Sequence, residues 1–163
     1  MLQRKTGIFD AAMVLRAAAA AAITTHGDSL EAPDYESAAI DLGPGEFIGR
    51  VAIRNIALTV TADTLVWFLV IGMSDDGTSQ VCLGAIPIGD KDVTPNSMDL
   101  PASGVEIRDL SIYFSNAALA EQAPSQGLTL DRMGLWPKIK LAAVVVDDAS
   151  AALDFEAEVY RIN

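Results

Sequence analysis

Side chains able to do covalent or metal chemistry are few in this chain, and none is spaced like a site. His26 is the single histidine among 163 residues, so a Ser–His–Asp triad, a His-rich metal centre or a cupin-type metal site has no material. In its polar THGD setting it reads as a solvated or locally hydrogen-bonded imidazole. Asp75 and Asp76, in SDDG, could offer oxygens to calcium, which wants several carboxylate and carbonyl ligands. The pair lacks a loop of alternating ligands. The simpler reading is a turn in which Asp accepts backbone hydrogen bonds and Gly77 supplies a positive φ. Asp90 with Asp92, and Asp147 with Asp148, read the same way. Twenty-two acidic residues always offer some pair for glycoside hydrolysis, which needs two carboxylates, yet no aromatic cleft marks one out. GPGEFIG lacks the lysine and serine of a phosphate-binding loop and precedes a strand rather than a helix. The expectation is no enzyme, no cofactor and no metal.

Contact chemistry is better supplied. Trp67 lies mid-strand and is expected in the core; Trp136, followed by Pro137 beside a loop, is the better candidate for an exposed contact. Cys82, the one cysteine, sits in the apolar run VCLGAIPI and is expected to be a buried, inert thiol. No intrachain disulfide can form, which suits a reducing compartment. The net charge of -11 repels phosphate, and no basic cluster exists beyond Arg4 with Lys5 and Lys138 with Lys140, so no nucleic acid is expected as a partner. Hydrophobic residues make up 51%, but no run reaches transmembrane length, so no membrane is expected either. The apolar surplus suggests an interface.

The elements that must position these residues are mainly strands. Ile56, Leu58 and Val60 alternate with Ala57 and Thr59, the period of a strand with one buried face. Leu65 to Met73 is apolar on both faces and belongs in a sheet centre. SDDG closes it, and residues 80–88 form a short strand. Residues 105–115 alternate with one phase slip near Arg108–Asp109, read as a β-bulge. KIKLAAVVVDD and LDFEAEVYRIN are two further strands, expected to form a hairpin through a turn at Asp147 to Ser150. Residues 116–137 read as a short helical turn followed by loop. Residues 1–45 read as an N-terminal arm rather than part of the sheet; Asp10 could cap a helix over residues 11–23, alanine being the best helix former. Asp10 and Arg16 interrupt the apolar run there, which argues against a cleaved leader. Six or more strands with polar connections predict an antiparallel β-sandwich or jelly roll over 46–163.

Three short elements carry a family resemblance. Ile40, Asp41, Leu42 and Gly43, then Ser74, Asp75 and Asp76 at the close of a strand, then Ala85, Ile86, Pro87 and Ile88 before a loop, resemble the layout of small capsid cement (decoration) proteins of podovirus-like tailed bacteriophages. The resemblance spans roughly residues 37–115. The chain departs from that pattern in a longer N-terminal arm and an extra loop around 116–137. The resemblance implies a structural virion protein, made in the host cytoplasm. It would bind the outer capsid surface and bridge major capsid protein subunits, as a homotrimer or homodimer. Ile8, Phe9, Met13, Val14 and Leu15 of the arm, together with Trp136, are the expected contact residues. The competing expectation is a ligand- or receptor-binding β-sandwich, for carbohydrate or a cell surface, which needs an aromatic platform.

Overall fold

The computed structural model describes residues 13–24, 32–43, 45–59, 65–89, 107–117, 135–146 and 152–162. Among them, alternating apolar positions build two antiparallel sheets packed face to face. Strands β1 (Val14–Arg16), β9 (Ala152–Arg161), β4 (Ile48–Thr59) and β7 (Ile107–Ser115) lie side by side in that order in the first sheet. The second runs β8 (Lys138–Val146), β5 (Leu65–Met73), β6 (Gln80–Gly89), with β2 (Tyr35–Glu36) and β3 (Ile40–Asp41) pairing on the other side of β8. With β2 and β3 counted as one interrupted strand, the chain changes sheets at every connection except the β5–β6 hairpin. That is the strand order of a jelly roll.

The core lies between the sheets. Val51, Ile53 and Ile56 of β4 and Leu153, Phe155 and Val159 of β9 face Val66, Phe68 and Val70 of β5 and Ile139, Leu141 and Val145 of β8. Phe155 sits at the junction, edge-on to Phe68 across the sheets at 5.0 Å and to Tyr35 of β2 at 5.4 Å. Such edge-to-face pairs add to the area that the rings bury. The two sheets close on one another at β6 and β7. There Gly84 leaves no room for a side chain, since a Cβ would lie 2.8 Å from Cγ2 of Ile112.

β5 is flanked by β8 and β6, as its two apolar faces require. β8 is flanked on both sides as well and is apolar on both faces. Their outward residues Trp67, Leu69 and Ile71 with Ala142, Val144 and Val146 form a second cluster, and Val144 is only 1% exposed although it faces away from the core. The β5–β6 turn is built as read from SDDG, with Gly77 at φ +73°.

Six expectations are corrected. Residues 13–24 are not helical: Val14–Arg16 is an edge strand on β9, and Ile23 makes an isolated bridge to Leu153. The described residues 13–24 and 32–43 do not stand apart from the sheets, since β1 extends one and β2 and β3 extend the other. β8 and β9 form no hairpin but lie in opposite sheets. The outward row of β9 carries Asp154, Glu156 and Glu158, whereas that of β8 runs from Lys138 and Lys140 to Ala142, Val144 and Val146. Cys82 is exposed, because a register shift after Val70 places it opposite the outward Ile71. Trp67 and Trp136 exchange places: Trp67 is half-buried on an outer face, and Trp136 is 7% exposed. No bulge marks Arg108–Asp109, where β7 keeps one register with β4; the irregularity lies instead in β4, where Asn55 takes φ +50° and the register with β9 shifts between Arg54 and Ala57.

Candidate functional site

The outward face of β1-β9-β4-β7 differs from every other described surface. Outward residues of β4 pair across both neighbours, so the face reads in rows. Arg50 lies opposite Tyr113 on β7 and Tyr160 on β9; Ala52 lies opposite Ser111 and Glu158; Arg54 lies opposite Asp109 and Glu156. Ile48 heads the face beside Ile162, whose N–H donates to the Ile48 carbonyl. Of the five exposed large hydrophobic residues among the described ones, four stand here: Val14, Ile48, Tyr113 and Ile162, with Tyr113 65% exposed. Loss of such area to solvent contact is what an association face supplies.

Electrostatics divide the rows. The Arg54 guanidinium lies 3.4 Å from Glu158 and donates to the Tyr160 hydroxyl at 2.8 Å, and that hydroxyl donates to Glu158. Burial, and then the Glu158 carboxylate, push the Tyr160 phenol above its ordinary range. Asn55, in the β4 irregularity, donates to Glu156. Arg50 instead stacks on the Tyr160 ring at 5.1 Å, with Arg54 at 5.7 Å from the same ring.

At the edge of this face, Arg16 grips the start of the sandwich. It is 5% exposed. Its Nε donates to the Phe155 carbonyl at 2.9 Å, and its Nη2 to the Ala21 carbonyl and to Asp154. Its guanidinium also lies over the rings of Tyr35 and Phe155. Tyr35 adds a hydrogen bond from its hydroxyl to the Leu15 carbonyl at 2.6 Å. A buried cation is tolerated only when its donors are met, and here they fasten β1 to β9 and β2. Sequence reading took Arg16 only as a charge interrupting an apolar run; nothing local to it signals a clamp with partners 138 and 139 positions away.

The expected contact residues therefore divide. Ile8 and Phe9 lie outside the described residues. Val14 is exposed on the outward face. Leu15 is buried in the core, and Met13 packs against it. Trp136 is buried beside Gly72, and its backbone N–H donates to the Asn116 carbonyl. Asn116, which sequence reading placed in a helical turn, is a buried pin: its Oδ1 accepts from the Phe47 N–H at 2.8 Å, and its Nδ2 donates to the Gly45 carbonyl at 3.0 Å.

The Asp75–Asp76 pair does turn work. Asp76 Oδ1 accepts from the Ser74 hydroxyl at 2.6 Å and from the Thr78 N–H at 3.0 Å. These bonds, the Ser74 hydroxyl first, hold the Asp76 carboxyl at about 2. Because that value is depressed, its support of the turn is present above the ordinary carboxylate range and is lost only as pH falls through about 2. Titration of the Asp76 carboxyl by NMR should give a midpoint near 2; a midpoint near 4, typical of a free carboxyl, would contradict the bonding described. Among the described residues no group of three or more His, Cys, Asp or Glu side chains could hold a metal ion. His26, Asp90, Asp92, Asp147 and Asp148 lie outside the described residues.

No protein-family model matches the chain, and no curated protein or solved structure is significantly similar to it.

Proposed function

We propose that this chain is a structural virion protein that binds the outer capsid surface and stabilises the shell by bridging major capsid protein subunits. The observation that carries the reading is the gathering of exposed Ile, Val and Tyr side chains with stacked arginine on one flat sheet face. Of these, Tyr and Arg are residue types that binding hot spots favour. The jelly roll is compatible but does not choose, because the fold serves capsid proteins, lectins and cupins alike. Support for the shell comes instead from the Ile40–Gly43, Ser74–Asp76 and Ala85–Ile88 resemblance, in which Asp76 builds the turn and the Ala85–Ile88 run lies in β6. An acidic chain suits the outside of a shell, away from packaged DNA, and repeated equivalent contacts add avidity.

The carbohydrate-binding alternative has less behind it. A sugar needs the open face of an aromatic ring, and the Tyr160 face is covered by Arg50 and Arg54. Quantitative mass spectrometry of purified particles from the source of this chain, measured against the major capsid protein, tests the proposal. A fixed ratio near that of the shell subunit is expected. A few copies per particle would move the protein to a tail or vertex, and absence from particles would remove it from the virion.

A further inference from the structure

Arg50 is the unusual member of the outward face. In a chain with 22 acidic and 11 basic residues, four cations among the described residues have a carboxylate at hand: Arg16 has Asp154, Arg54 has Glu158, Lys138 has Asp75 and Lys140 has Glu36. Arg50 has no ion pair among the described residues. Its guanidinium is half-buried and stacked on Tyr160, with Tyr113 opposite it on the other side and Ile48 and Ile162 one row away. A stacked guanidinium loses little further side-chain freedom on binding and still presents a planar fork of donors, which suits bidentate capture of a carboxylate.

We propose that the Tyr113–Arg50–Tyr160 row receives a protein segment that sets a single carboxylate on Arg50 and an apolar side chain against Tyr113 and Ile48. Resting on the reading above, the segment belongs to the shell subunit. Charge complementarity singles out the carboxylate, and the exposed Tyr and Ile side chains single out its apolar neighbour. A peptide strand can lie flat on this surface, whereas a pyranose finds one open ring, Tyr113.

The test uses the full chain and particles from its source stripped of this protein, with binding measured by sedimentation for wild type, Arg50→Glu, Arg50→Lys and Tyr113→Ala. Arg50→Glu should weaken binding about thirtyfold or more, Tyr113→Ala by about tenfold, and Arg50→Lys less than Arg50→Glu. Added salt should weaken the wild type but restore part of the binding of Arg50→Glu, because salt screens the repulsion that the introduced carboxylate sets against the segment's own. Wild-type binding that all three variants share, with unchanged salt dependence, overturns this assignment and leaves the shell reading standing. Failure of the wild type to bind overturns both. A twofold chain mass that falls to monomer in Arg50→Glu, with particle binding intact, gives the face to a second copy and overturns the shell-subunit assignment. Binding abolished by removing glycans from the particles, and insensitive to Arg50→Glu, gives it to sugar and does the same.

Discussion

Phe155→Ala should destabilise the fold by about 3–5 kcal/mol, the range for deleting a buried aromatic ring, and lower Tm by roughly 10 °C. The size follows from its position. Phe155 is 1% exposed and meets Phe68 of the opposite sheet and Tyr35 of β2 edge-on. It also supplies a ring face, and its own carbonyl, to Arg16. Truncation therefore empties the junction between sheets and removes one of the two rings that the buried Arg16 guanidinium lies over. Relaxation is restricted because Val66, Val70, Leu141 and Leu153 are already fully buried around the same core. Phe155→Leu should recover about half of the loss, since it restores volume but not the ring pairs. Denaturant unfolding of the three proteins reads this directly. A loss below about 1 kcal/mol for the alanine variant would mean that the junction does not hold the sheets together.

How much of this was legible in the sequence varies by residue. The nine residues from Leu65 to Met73 announce a central strand because their apolar character leaves no face for water, and β5 is indeed paired on both sides. SDDG announces its turn because Gly77 and Asp76 act within five residues of one another. The run over residues 11–23 misled, since helix propensity differs by only about 0.7 kcal/mol per ordinary residue and short helices are marginal alone. Against that stand the Arg16 hydrogen bonds and ring contacts to β9 and β2, none of them local. Trp67 and Trp136 exchanged places for a related reason. Neighbouring residue types report on strand character, but which side of the sheet faces the core depends on register with β8 and β6. The Tyr113–Arg50–Tyr160 row is beyond sequence reading altogether. Its members are separated by 63 and 47 positions and meet only because β4 lies between β7 and β9.

The second large effect concerns residues 1–12, which include Ile8 and Phe9 of the expected contact set. The clamp at Arg16 begins four positions later and ties the chain to the Phe155 carbonyl, the Ala21 carbonyl and Asp154. Any load that a partner places on residues 1–12 therefore passes into β9 rather than peeling β1 from the sheet edge. Removal of these twelve residues deletes no residue of a described strand, and the variant should still fold cooperatively. Its binding to stripped particles should nonetheless fall about tenfold or more, as loss of one of two linked contacts predicts. Arg16→Ala, with residues 1–12 retained, should fall between the two, because β1 then yields under load.

The measurement that bears most directly on the proposed shell role, and on anchoring through the first residues, is this comparison of wild type and the variant lacking residues 1–12, titrated onto stripped particles from the source. Saturation by the wild type at a fixed ratio to the major capsid protein, with the folded shortened chain needing about tenfold or more higher concentration to reach it, is the predicted result. Equal saturation by both proteins would contradict the anchoring role, and no saturation by either would contradict the shell assignment itself.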